Sequence, residues 1–192
     1  NPSNFTTDIY ATYTTNGGQT FATSQRLTNQ SFVYPNPPCS PGCYRGDYTT
    51  MMANNPKVGF SVWGDHRNAT AQNMGSYFPD FAMRVSPNAF GMNGINDSQF
   101  VYVTVPAVKL YSDTALFTAT VTNPPGSGTI TLDLLNKTTN TAQNRLLTYP
   151  DSLRLRIKTS GGVPNGGYTV RVVGNGPNGT PVHERFININ VG

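Results

Sequence analysis

Charge is what this sequence has least of. Asp, Glu, Lys and Arg make up 11% of its 192 residues, with a single glutamate, Glu184, and four lysines. An ordinary soluble chain carries about 25%. Helix bundles, which need long charged faces, are thereby excluded. Hydrophobic residues reach only 36%, and no apolar run approaches the ~18 residues of a membrane-spanning helix. Cysteine is nearly absent. Cys39 and Cys43 stand in a Pro-rich turn with no histidine beside them, short of the four ligands a zinc site needs. Pro37 and Pro38 before Cys39 argue against a redox pair opening a helix. What remains is a local disulfide that shapes a loop and implies an oxidising, extracellular compartment.

Recognisable catalytic motifs are missing as well. The sequence has no Gly-x-Ser-x-Gly, phosphate loop or metal-binding helix, and its two histidines, His66 and His183, are far apart. The net charge of +4 comes from 13 basic and 9 acidic residues, so it reflects few acids rather than many bases. Arg154, Arg156 and Lys158 alternate along one expected strand without forming a cluster, and nucleic-acid binding is not expected.

Thr, Asn, 19 glycines, 15 prolines, 10 tyrosines and 10 phenylalanines fill the space instead. That composition predicts short strands joined by turns, an all-β fold. The chain divides near residue 95. Beyond it, alternating apolar and polar residues predict seven strands, at 100–105, 115–122, 128–135, 145–149, 152–159, 168–173 and 183–191. Gly-, Pro- and Asn-rich turns separate them. Seven short strands in this span predict an immunoglobulin-like β-sandwich over 98–192. Tyr168, opening the sixth strand after a Gly-Gly turn, is expected to be its corner tyrosine. This half resembles the small bacterial Ig-like domains appended to secreted enzymes and surface proteins.

The first half carries a more specific pattern. Thr14-Thr15-Asn16-Gly17-Gly18-Gln19-Thr20-Phe21 resembles an Asp-box, the hairpin turn of sialidase-like (BNR) β-propellers, with Asn for Asp and Phe for Trp. Thr14, Asn16, Gly18, Thr20 and Phe21 are its motif positions: Asn16 is expected to bond turn amides, Gly18 to adopt a left-handed conformation, and Phe21 to plug the hairpin base. Arg45-Gly46-Asp47-Tyr48 followed by Val58-Gly-Phe-Ser-Val-Trp63-Gly-Asp65-His-Arg67-Asn68 is similar to the last blades of bacterial Asp-box propellers. A final strand is expected over 80–85, giving about two blades within 1–95. Two blades cannot close a propeller, so the chain is expected to be the C-terminal remnant of a longer protein or to be completed by other protein chains or in a homo-assembly. The start at Asn1, without Met or leader, predicts a processed fragment or an assembly subunit.

The resemblance also implies where chemistry would lie. Sialidases on this fold use several arginines, a tyrosine nucleophile and carboxylates, which draws attention to Tyr48 and Arg67. The sole glutamate lies in the other half, so no catalytic residue is assigned. Asp47, Tyr48, Trp63, Asp65 and Arg67 are expected to make inter-blade or ligand contacts. Tyr44, Tyr48, Trp63 and Tyr77 are candidate aromatics for carbohydrate recognition. No cofactor is expected; Asp65, Asn68 and Asp97 offer only isolated oxygens to a calcium ion. Asn4, Asn29, Asn68, Asn96, Asn136 and Asn178 each open an Asn-x-Ser/Thr triplet, a glycosylation acceptor in a suitable host. The expected function is a non-catalytic, extracellular or cell-surface structural or adhesive module. Two alternatives are the C-terminal part of a secreted sialidase-like glycosidase whose catalytic blades are absent, and a carbohydrate-binding module. Glycans are expected as partners in the latter case, with neither nucleic acid nor membrane insertion.

Overall fold

The computed structural model describes residues 6–33, 49–55, 57–67, 72–106 and 108–192. They form an all-β protein of two compact units, Asn1–Asp80 and Phe81–Gly192.

In the first unit, β1 (Thr6–Thr7) pairs with β4 (Phe32–Val33), and β2 (Tyr10–Ala11) with β3 (Gln25–Arg26), all antiparallel. The strands β5 (Thr50–Asn55), β6 (Val58–Asp65) and β7 (Gln72–Phe78) form a three-stranded antiparallel meander. Alternation along β6 buries Ser61, Trp63 and Asp65 together, because successive side chains of a strand point to opposite faces. Apolar burial is sparse here. Among the described residues, Leu27, Phe32, Val58, Trp63 and Phe78 are buried, while Tyr10, Phe21, Met51 and Met52 are each more than half exposed. No propeller is formed by these strands alone.

The short β8 (Asp80–Phe81) spans the boundary between the units. The second unit is a β-sandwich. One sheet runs in the order β14 (Thr129–Asn136), β16 (Asp151–Ser160), β11 (Asn96–Val105), β9 (Arg84–Ser86). The other runs β10 (Ala89–Met92), β18 (Val182–Val191), β17 (Gly166–Asn175), β13 (Ala115–Val121), β15 (Arg145–Leu146). A further short strand, β12 (Val108–Lys109), follows β11. Neighbours are antiparallel except β10 and β18, which run parallel. The entering chain therefore lines one sheet with β9 and then crosses to edge the other with β10.

The core is built by period-2 alternation, as expected from the sequence. Val101, Val103, Val105, Leu153, Leu155 and Ile157 from one sheet meet Val170, Val172, Ile187 and Ile189 from the other, all fully buried. The Tyr168 hydroxyl donates to the Pro164 carbonyl oxygen at 2.9 Å, pinning the turn before β17 to the strand that follows. Gly128, at φ +66°, lets the chain enter β14 close to the 160–163 turn; a Cβ there would meet the Val163 nitrogen at 2.6 Å.

Two expectations are corrected by these pairings. The strand expected over 80–85 as the last of the blades is not one: residues 84–86 form β9 and pair with β11 of the sandwich. The unit boundary accordingly falls at 80/81 rather than at 95–98. The reason is burial, since Phe81, Met83 and Met92 belong to the sandwich core. The strand expected at 145–149 is also shorter, ending at Leu146, where Tyr149 turns to donate its hydroxyl to the Asp113 carbonyl oxygen.

Candidate functional site

The polar chemistry of the first unit gathers at the end of β6. The fully buried Asp65 carboxylate accepts from Arg67 three times: from Nε at 2.9 Å, from Nη2 at 2.6 Å, and from the backbone N–H at 2.9 Å. The remaining arm of the guanidinium, Nη1, donates to the side-chain oxygen of Asn29, joining the end of β6 to the segment between β3 and β4. A planar guanidinium matched to a carboxylate in two-pronged fashion is the strong form of an ion pair. The Arg67 hydrogen bonds hold the Asp65 carboxyl below its ordinary range against the opposing effect of burial. The carboxylate in turn pushes the Arg67 pKa upward.

A second network stands on the neighbouring segment, and sequence reading missed it. Asp8 accepts from Thr28 Oγ1 at 2.7 Å, from Ser31 Oγ at 2.9 Å and from Arg26 Nε at 2.8 Å. Arg26 Nη2 also donates to Ser31 Oγ at 2.8 Å. The hydroxyl of Thr28, with help from Arg26 and Ser31, holds the Asp8 carboxyl below its ordinary range. Asp8 lies 20 and 23 positions from Thr28 and Ser31, so no local motif announces the cluster.

The turn at residues 14–20 closes through its own side chains. Thr14 Oγ1 donates to Asn16 Oδ1 at 2.9 Å and accepts from the Gly18 N–H at 3.1 Å. Asn16 Oδ1 accepts from the Thr20 N–H at 3.0 Å, and Asn16 Nδ2 donates to Thr20 Oγ1 at 2.8 Å. Gly17 and Gly18 have φ of +69° and +90°, a region that favours glycine. Phe21 departs from expectation. It is 63% exposed and plugs nothing; the base is closed by the backbone bond from the Ala22 N–H to the Tyr13 carbonyl oxygen at 2.9 Å.

Of the residues singled out in the sequence, Asp65, Arg67 and Asn29 are brought together. Cys39, Cys43, Tyr44, Asp47, Tyr48, Asn4 and Asn68 lie outside the described residues. Trp63 is 3% exposed, which removes it as a stacking platform for a sugar, and Tyr77 packs edge-on against Phe60 at 4.9 Å. Both Asp65 oxygens are taken by Arg67, and Asp97 accepts from the N–H groups of Asn93 and Ser98. Among the described residues, no group of three or more acids, cysteines or histidines comes together to hold a metal ion. Glu184 pairs with Arg171 at 2.7 Å on the sandwich surface. His183 stacks edge-on to Phe81 at 5.0 Å. Asn96 and Asn178 are exposed, whereas the Asn136 amide donates to Gln143 at 2.7 Å and its oxygen accepts from Thr138 and Thr139.

No family model matches this chain, and no curated protein matches it in sequence. Among solved structures, WR4, a C. elegans MSP family member, aligns with 57% of this chain and 97% of its own length. The TM-score is 0.42 and the identity 9%. So loose a likeness assigns neither family nor function.

Chemically, the β6 site fastens the chain and offers little else. A carboxylate held ionised below its ordinary range is a poor general acid at neutral pH. A guanidinium already committed to Asp65 and Asn29 does not present an open fork to a substrate carboxylate.

Proposed function

We propose that this chain is a non-catalytic structural or adhesive module of the cell exterior. In this reading the first unit is a segment of an Asp-box β-propeller and the second an immunoglobulin-like sandwich. The observation that carries it is the buried Arg67–Asp65 pair, its guanidinium committed to Asp65 and Asn29, at an arginine to which the sialidase resemblance draws attention. The Asp-box reading draws support from the Thr14–Asn16–Gly18–Thr20 hydrogen bonds. The immunoglobulin-like reading draws on the crossing of the entering strand between sheets and on the Tyr168 corner. Tyr10, Phe21, Met51 and Met52, each more than half exposed, are apolar side chains that further blades, on another chain or a longer polypeptide, would cover. The extracellular placement rests on the Cys39–Cys43 disulfide expected from the sequence.

The chain should show no turnover of fluorogenic sialosides or other glycosides. Tyr48→Phe is the control, because Tyr48 is the residue the family resemblance would make a nucleophile. Hydrolysis by the parent chain that disappears in Tyr48→Phe would overturn the non-catalytic reading.

A further inference from the structure

The outer face of the β14–β16–β11–β9 sheet carries a feature that no stretch of sequence displays. Burial of Val101 and Val103 on β11, and of Leu153, Leu155 and Ile157 on β16, is complete. Their neighbours Phe100, Tyr102, Arg154, Arg156 and Lys158 therefore face outward. The register sets Arg156 opposite Phe100 and Arg154 opposite Tyr102, and on the other side of β11 it sets Arg84 opposite Thr104. Four cations and two exposed rings thus share one sheet surface. Asp133 is the one carboxylate on that face among the described residues, and it is shared by Arg156 at 3.0 Å and Lys158 at 3.4 Å. Arg84 has no ion-pair partner among the described residues.

Charge over the whole chain agrees. Residues 81–192 hold nine Lys and Arg against five Asp and Glu, while residues 1–80 hold four of each, so the second unit carries the entire +4. Along β16 the cations recur every second residue, at roughly 6.8 Å intervals. Tyr102, 48% exposed, offers an open ring beside them, and the hydroxyls of Ser86 and Thr131 border the row.

We infer that this face binds an anionic polysaccharide, one bearing carboxylates or sulfates along its length. The arginines and the lysine pair with the acidic groups, and the Tyr102 ring packs on the apolar face of a sugar. A single-stranded nucleic acid fits less well. Such chains stack successive bases on successive open rings, and here the Arg154 guanidinium already lies 3.8 Å over the centre of the Phe100 ring. The inference stands whether or not the first unit is a propeller segment, and its test involves no catalysis.

The test is affinity electrophoresis and calorimetry of the full chain with polygalacturonate, dextran sulfate, neutral dextran and a single-stranded oligonucleotide. One or both anionic glycans should bind, with affinity falling as salt rises, and the two together tell carboxylate from sulfate preference. Neutral dextran should not bind. The double variant Arg156→Ala/Lys158→Ala should weaken binding about tenfold or more, the size of one or two lost charge-assisted contacts. Tyr102→Ala should weaken it several-fold, with the melting temperature of each variant confirming the fold. Arg171→Ala removes an exposed cation from the opposite sheet and should leave affinity unchanged. Equal loss in Arg171→Ala, insensitivity to the face variants, preference for the oligonucleotide, or no binding of either anionic glycan would each overturn the inference.

Discussion

A fragment of residues 81–192 should unfold as a cooperative monomer, and a fragment of residues 98–192 should not fold. The two differ by β9 and β10 and by three core side chains, Phe81, Met83 and Met92, which are at most 5% exposed. Burying each contributes about 1.5–3 kcal/mol, so their joint loss is comparable to the entire ~5–15 kcal/mol by which a small domain is stable. Truncation also bares the edges of β11 and β18, two ten-residue strands that β9 and β10 cover, and long open edges invite association. Thermal unfolding followed by circular dichroism distinguishes the outcomes. A sharp transition in the shorter fragment, at the midpoint of the longer one, would contradict the placing of 81–97 in the sandwich.

Replacing Asp65 with alanine should destabilise the first unit by about 3 kcal/mol, the order seen when one partner of a buried pair is removed and the other is left uncompensated. The single tryptophan, Trp63, lies two residues away in the same strand, so its fluorescence reports this unit specifically. Urea titration should show its transition at markedly lower denaturant in Asp65→Ala. Acid should act on the same bond. The folded carboxyl titrates below its unfolded value of about 3.9, so the folded state holds fewer protons than the unfolded one in between. The stabilisation is complete above that unfolded value and drains away as the pH falls through the lower folded one. Asp8 shifts in the same direction and adds to the acid sensitivity. Asp65→Asn should flatten part of the acid dependence. An unchanged Trp63 transition in Asp65→Ala would mean the pair is ornamental to this unit.

What the sequence made legible follows from how local each signal was. The strands of the sandwich were readable because one face of each is buried, which writes a period of two into Leu153–Ile157 and Phe117–Val121. Tyr168 was readable because the corner bond spans four residues. The hydrogen-bonded turn at residues 14–20 was readable for the same reason. β9 and β10 were not, being short and broken by Pro87 and Asn88, and the likeness to a blade drew 80–85 to the wrong side of the boundary. The Asp8 cluster and the cationic sheet face are assembled by strand pairing from residues distant in sequence, so alternation that read as ordinary solvated surface became, across β9, β11 and β16, a continuous patch. Phe21 illustrates the opposite error: a motif position read as buried lies outside any strand and stands exposed.

If the proposed function is right, the second unit is complete in itself and the exposed apolar side chains of the first need a cover. Sedimentation equilibrium tests it most directly, with the intact chain and the 81–192 fragment compared over a wide concentration range. The account predicts that the fragment remains monomeric while the intact chain associates with rising concentration, and that replacing Phe21, Met51 and Met52 with serine suppresses the association. An intact chain that stays monomeric at every concentration, with or without those substitutions, would contradict it.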